Sequence, residues 1–177
     1  MSKVEFLQMV PALLYGISLA EIAMFLGNIF RKKERIYWEH LLAILLSFET
    51  VIFNWYVFYD RLDHIDGRYI DFVIQLMSPI CFFIYAANIL IESKSEDGTV
   101  KIAFLENRKQ IFISLTMFIV VNIGTVFYFT PHLLEVIYIP IAIIGIVATN
   151  IFVDSKALRC VLYVAKGAQM IYMMIKL

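Results

Sequence analysis

The sequence predicts an all-α fold, an integral membrane bundle of six transmembrane helices in a single domain spanning 1–177, and three observations predict it. The 177 residues are 62% hydrophobic and 17% charged, with a mean hydropathy of +0.81. Soluble domains run at about 45–50% apolar and about 25% charged. The apolar residues gather in six continuous runs, at 10–30, 37–59, 70–91, 111–129, 134–153 and 157–175. Each is close to the roughly 20 residues that cross a bilayer as a helix. Finally, Lys and Arg fall in alternate connections between the runs. A soluble domain of this size has no interior large enough for so much apolar surface, and a disordered chain lacks such runs. The runs are continuous rather than alternating, which excludes a β-barrel. Lys+Arg and Asp+Glu balance at 15 each, leaving no net field to attract nucleic acid.

In chain order, the run at 10–30 begins with Pro11 in its opening turn, where a missing N–H costs nothing. Glu5 precedes it and no small-residue cleavage site follows, so it reads as a retained span rather than a signal peptide. The run at 37–59 carries Tyr37 and Trp38 at one end and Trp55, Tyr56 and Tyr59 at the other, an aromatic belt at each interface. The run at 70–91 contains Pro79, which frees a carbonyl and favours a kink. Residues 92–110 form the one long connection, polar around Gly98, with a short interfacial helix expected near 102–105. The runs at 111–129 and 134–153 follow. The last, 157–175, is interrupted by Arg159, Lys166 and Gln169. Its length favours spanning; the alternative is an amphipathic helix lying along the membrane surface.

Orientation follows from the basic residues. Arg31, Lys32, Lys33, Arg35, Lys94, Lys101, Arg108, Lys109, Lys156 and Arg159 fall on one side, and Arg61 and Arg68 on the other, ten against two. The expectation is an N-terminus outside the cell.

The first, third and fifth runs end alike, at Asn28-Ile29-Phe30, Asn88-Ile89-Leu90 and Asn150-Ile151-Phe152. That period is what three stacked helical hairpins give. The alternative is a shared end signal, since Asn is common at helix C-termini.

Polar residues within the runs are the candidate functional groups, because an ionisable side chain at depth costs about 2.5–3.5 kcal/mol on insertion scales and must face protein or water. At about 1.5 Å per residue, Glu21, Glu49 and Lys166 share one level roughly 13–16 Å from the basic side. They read either as an ion or proton path or as a buried ion pair that fixes register, with Lys166 matched to Glu21 or Glu49. Gln75, Ser78, Tyr85 and Asn88 form a stripe with Asp71 on the third run, Asn122 lies with Ser114 and Thr125 on the fourth, and Arg159, Tyr163, Lys166 and Gln169 align on the sixth. Such stripes line water-filled paths or join helices by hydrogen bonds.

The connection Asp60-Arg61-Leu62-Asp63-His64-Ile65-Asp66 fits no defined metal-ligand spacing and reads as a solvated acidic loop, so no metal is expected. No hydrolase, nucleotide-binding or zinc-protease motif occurs, so neither a cofactor nor an enzymatic activity is expected. Trp38-Glu39-His40 reads as an interfacial anchor, with a proton relay as the alternative. Cys81 and Cys160 lie in apolar runs and read as small hydrophobes.

Through 16–21 (GISLAE), the basic 31–35 loop, 38–40 (WEH) and 104–108 (FLENR), the chain resembles a broad set of small polytopic membrane proteins of bacteria. The resemblance implies a helical bundle in a bacterial inner membrane, and no activity or ligand. Two functions are expected. One is a small channel or transporter for an ion or solute, acting as a homo-oligomer. The other is a non-catalytic membrane subunit or sensor docking a cytoplasmic partner protein through Arg31, Lys32, Lys33, Arg35, Arg108 and Lys109. The lipid bilayer is a partner in both, and nucleic acid in neither.

Overall fold

The computed structural model describes residues 3–32, 37–60, 68–90, 100–129 and 138–176. Among them all regular structure is helical: α1 (Lys3–Lys32), α2 (Trp38–Asp60), α3 (Tyr69–Ile89), α4 (Val100–Glu106), α5 (Arg108–Phe129), α6 (Tyr138–Phe152) and α7 (Lys156–Lys176). The short α4 occupies the place of the helix expected in the long connection. It runs into α5 through Asn107, whose backbone N–H and side-chain amide both donate to the Ala103 carbonyl.

Six expected spans narrow to three on length and composition. Among the described residues, Met9–Arg31, Tyr69–Ile89 and Arg108–Phe129 are long and apolar enough to cross a membrane. The reasons lie in the other three helices. α2 carries Glu39, Glu49 and Asp60, and α7 carries Lys156, Arg159, Lys166 and Lys176. α6 is only 15 residues long, with an apolar helix at Ile143–Phe152.

Helices adjacent along the chain pack in pairs, α1 with α2, α3 with α5 and α6 with α7. α1 also packs on α3, α5 on α6 and α7 on α2, so the six long helices close a ring, with α2 also touching α3. The interior stripe of α1 is Pro11, Tyr15, Ser18, Ile22, Phe25 and Ile29. That of α3 is Asp71, Gln75, Ser78, Phe82, Tyr85 and Ile89, each position 60 residues on. Spacings of four and three keep such a stripe on one narrow seam. The third hairpin does not share this register: Asn150 is buried where Asn28 is exposed and Asn88 half-buried.

Aromatic rings fill the centre. Phe82 meets Tyr15, Tyr85 and Phe118 at centroid distances of 6.1, 5.9 and 5.2 Å. Meanwhile Leu13, Met24, Ile52, Ile80, Val120 and Val164 are exposed on the outside of the ring. The bundle is therefore apolar outside and carries its polar side chains within.

Candidate functional site: a polar column inside the bundle

At the basic end of the bundle, charges from four chain segments meet. Glu39, in the first turn of α2, is fully buried, and its Oε2 accepts a hydrogen bond of 2.6 Å from Arg159 Nε on α7. Arg159 Nη1 donates to Asp154 Oδ1 at 2.6 Å, in the turn between α6 and α7. Arg108 Nη1, at the start of α5, makes an ion-pair contact of 2.6 Å with that same oxygen. The hydrogen bond from Arg159, aided by the Arg108 charge, holds the Asp154 carboxyl below its usual range despite some desolvation. Beside the knot, Lys156 Nζ sits 5.7 Å over the Trp38 ring. His40 Nε2–H donates at 2.6 Å to the carbonyl of Ile89, one of the carbonyls that the end of α3 leaves without an intrahelical donor. Its ring is held between Phe25 and Phe104, at 5.7 and 5.2 Å.

Deeper in, Ser47 Oγ on α2 lies 3.0 Å from the Tyr85 hydroxyl on α3, and Tyr163 is buried on α7. Glu49 is half-buried on α2, about 160° at 100° per residue from the middle of that helix's buried stripe of His40, Ser47, Val51 and Asn54, and Lys166 is half-buried on α7 on the same face as Arg159 and Tyr163. Glu49 Oε2 is buried with no hydrogen-bond partner. Further on, the Tyr15 and Ser78 hydroxyls lie 3.2 Å apart between α1 and α3, and Asn122 Nδ2 donates to Asn54 Oδ1 at 2.6 Å between α5 and α2. Gln75, one turn along α3, is buried with its Nε2 unpartnered. Pro79 supplies no N–H to the Gln75 carbonyl four residues back. At the far end, buried Asp71 accepts from the Tyr128 hydroxyl at 2.9 Å and pairs with Arg68 at 3.3 Å.

These groups form a column. From Asp71 to Ile89, α3 rises by roughly 27 Å at 1.5 Å per residue. That nearly matches the roughly 30 Å hydrocarbon core of a bilayer. Each end is closed by an ion-pair knot, and the middle holds hydroxyl and amide pairs.

The sequence-predicted residues divide accordingly. Gln75, Ser78, Tyr85 and Asn122 line the column, whereas Glu49 lies on the face of α2 opposite its buried stripe and Lys166 is half-buried on α7. Asn88 is half-buried and donates to the Ile84 carbonyl of its own helix at 3.0 Å. Glu21 is half-buried on α1, about 80° from the middle of the buried stripe at 100° per residue, toward the α2 side where Phe25 meets His40. Of the docking residues, Arg31 and Lys109 are exposed, whereas Arg108 is buried against Asp154. Lys32 ends α1, and Lys33 and Arg35 lie outside the described residues, as does most of the acidic connection at 61–67.

Sequence reasoning missed the Glu39–Arg159–Asp154–Arg108 knot, because Glu39 was read as part of an interfacial anchor, Arg108 as a docking residue and Arg159 as part of the stripe on the sixth run, and Asp154 was given no role. The available signal was a Glu and an Arg each within the first turn or so of helices expected to start on the same side. It also missed Asn54 and Tyr15. No family model, no curated protein and no solved structure matches the chain.

Proposed function

We propose that this protein is a small polytopic membrane transport protein, in which all six long helices are embedded in a bacterial inner membrane and a small ion or solute passes along the interior column. The observation that carries this reading is the column itself: polar groups at every level over a bilayer's depth, enclosed by helices with apolar outer faces. Buried polar side chains are expensive in lipid, and holding helices together requires few of them. Placing the basic end in the cytoplasm follows from the Lys and Arg bias and puts the N-terminus outside.

Reconstituted protein should release a trapped small ion or solute from liposomes. Ser78→Phe, which fills the column, should stop release, and Ile80→Phe on the exposed face should not. Equal release from both variants, or none from the wild type, overturns the reading. A second reading, docking of a cytoplasmic partner protein, is favoured by the exposure of Arg31, Lys101 and Lys109 at the basic end. It predicts loss of cellular function when these three become Gln, with flux unchanged.

A further inference from the structure

We propose that Arg108 and Arg159 form a binding site for a phosphate oxyanion at the basic end of the bundle, with the Asp154 carboxylate as its resident, displaceable occupant. The site stands apart from whatever passes along the column. Its floor is already built. The Arg108 and Arg159 side chains are only 10% and 6% exposed, and each aims its Nη1 at one oxygen, Asp154 Oδ1, at 2.6 Å. Glu39 Oε2 fixes Arg159 from the other side through Nε.

Two features separate this arrangement from a closed salt-bridge network. First, it has donors to spare. Arg108 Nη1 is buried and, although 2.6 Å from Asp154, makes no hydrogen bond among the described residues, because the oxygen is out of line with its N–H groups. The one carboxylate oxygen is aligned with Arg159 and serves Arg108 by charge alone. A phosphate group presents several oxygens, and the planar fork of Arg matches its geometry. Second, the occupant is removable. The Asp154 side chain is 63% exposed above the two buried arginines. The turn that carries it is held by backbone bonds from Val153 to Thr149 and from Ser155 to Val153. The carboxylate therefore swings into solvent about its side-chain bonds with the backbone unchanged.

The surroundings suit an anion. Next to the knot along the chain, Lys109 and Lys156 are exposed, against an exposed Glu106. α5 begins at Arg108 and α7 at Lys156, so two helix N-termini add their partial positive charge. Phe152 and Val153, immediately before Asp154, are exposed, as is Trp38 beneath the Lys156 ammonium. Basic pockets between helices on the cytoplasmic side are where anionic lipid headgroups bind, and an apolar rim gives their acyl chains a surface. Inorganic phosphate offers the same oxyanion with nothing to cover that rim.

The test uses the full chain in detergent, with unfolding followed by reaction of the buried Cys81 with a thiol dye. The probes are phosphatidylglycerol in mixed micelles and inorganic phosphate in buffer. Phosphatidylcholine and chloride at matched ionic strength are their controls. A ligand that binds the folded state raises the unfolding midpoint as its concentration rises. The wild type should respond to phosphatidylglycerol and not to the controls. Asp154→Asn removes the resident carboxylate and should bind at least about tenfold tighter, the worth of one hydrogen bond to a charged group. Since that variant gains binding, misfolding cannot imitate the result. Arg108→Gln should lose the response, and Lys109→Gln, its exposed neighbour, should keep it. A response to the lipid alone assigns the site to a headgroup, and a response to inorganic phosphate assigns it to the free oxyanion. No response to either probe overturns the site. So does an Asp154→Asn variant that binds no tighter than the wild type, or a folded Arg108→Gln variant that responds as the wild type does.

Discussion

Arg159→Met is the substitution with the largest expected structural effect. Arg159 and Glu39 are 2.6 Å apart, with side chains 6% and 0% exposed, so neither is screened by solvent. Removing one member of such a pair strands the other and costs about 3–5 kcal/mol. For a chain of this size each kcal/mol lowers the unfolding midpoint by about 2–4 °C, giving a fall of roughly 6–20 °C. Asp154 keeps Arg108, so the loss falls mainly on Glu39. A thiol-reactive dye in detergent provides the assay, because Cys81 is buried at 4% exposure and reacts fully only on unfolding. Adding Glu39→Leu removes the stranded charge and should recover most of the midpoint, since apolar replacements of buried pairs are often neutral or better. A fall of less than about 2 °C for Arg159→Met, or a double variant no better than the single, would refute the reasoning.

Four further outcomes are expected. The Asp154 carboxyl titrates below its ordinary 3.8, so the stability it contributes is complete above that pH and is lost as the pH falls through the depressed value. Wild-type midpoints should therefore drop on acidification below about 4, and Asp154→Asn should flatten that part of the profile. Tyr128→Phe removes a hydrogen bond to the Asp71 carboxylate and should cost about 1.5–3 kcal/mol; a double-mutant cycle with Asp71→Asn checks that the loss is shared. Asn54→Ala and Asn122→Ala should show a coupling of about 0.6–1.7 kcal/mol in a thermal cycle, the range of interhelical hydrogen bonds in membrane bundles. Cysteines placed at Lys33, Asp63, Ser95 and His132 should label from inside, outside, inside and outside of intact cells, and outside labelling of Ser95 would invert the topology.

The helices were legible because their signal is local. Continuous apolar runs dictate helices without reference to the rest of the chain, but not their starts: Pro11, expected in an opening turn, lies inside α1, which begins at Lys3, and the break expected around Gly98 lies outside the described residues. The stripe from Asp71 to Tyr85 was legible too, since helical period alone puts those residues on one face. What sequence does not encode locally is rotation about the helix axis. Glu21 and Glu49 share a depth, yet Glu21 sits about 80° off the buried stripe of α1 and Glu49 about 160° off that of α2. Pairings between distant segments were equally silent. Glu39 and Arg159 are 120 residues apart, and Asn54 and Asn122 are 68 apart. Such contacts depend on the order in which the ring closes.

Hydration of the column is tested most directly by hydroxyl-radical footprinting of the protein in lipid, with radicals generated in place by a short X-ray pulse. Radicals formed from internal water modify the side chains beside it. Tyr15, Tyr85 and Tyr163 should be modified although each is at most 8% exposed. Ile80 and Val120, exposed on the outside of the ring, should be protected by lipid. Protection of all three tyrosines, with modification confined to the two ends of the bundle, would show a dry interior and contradict transport along it.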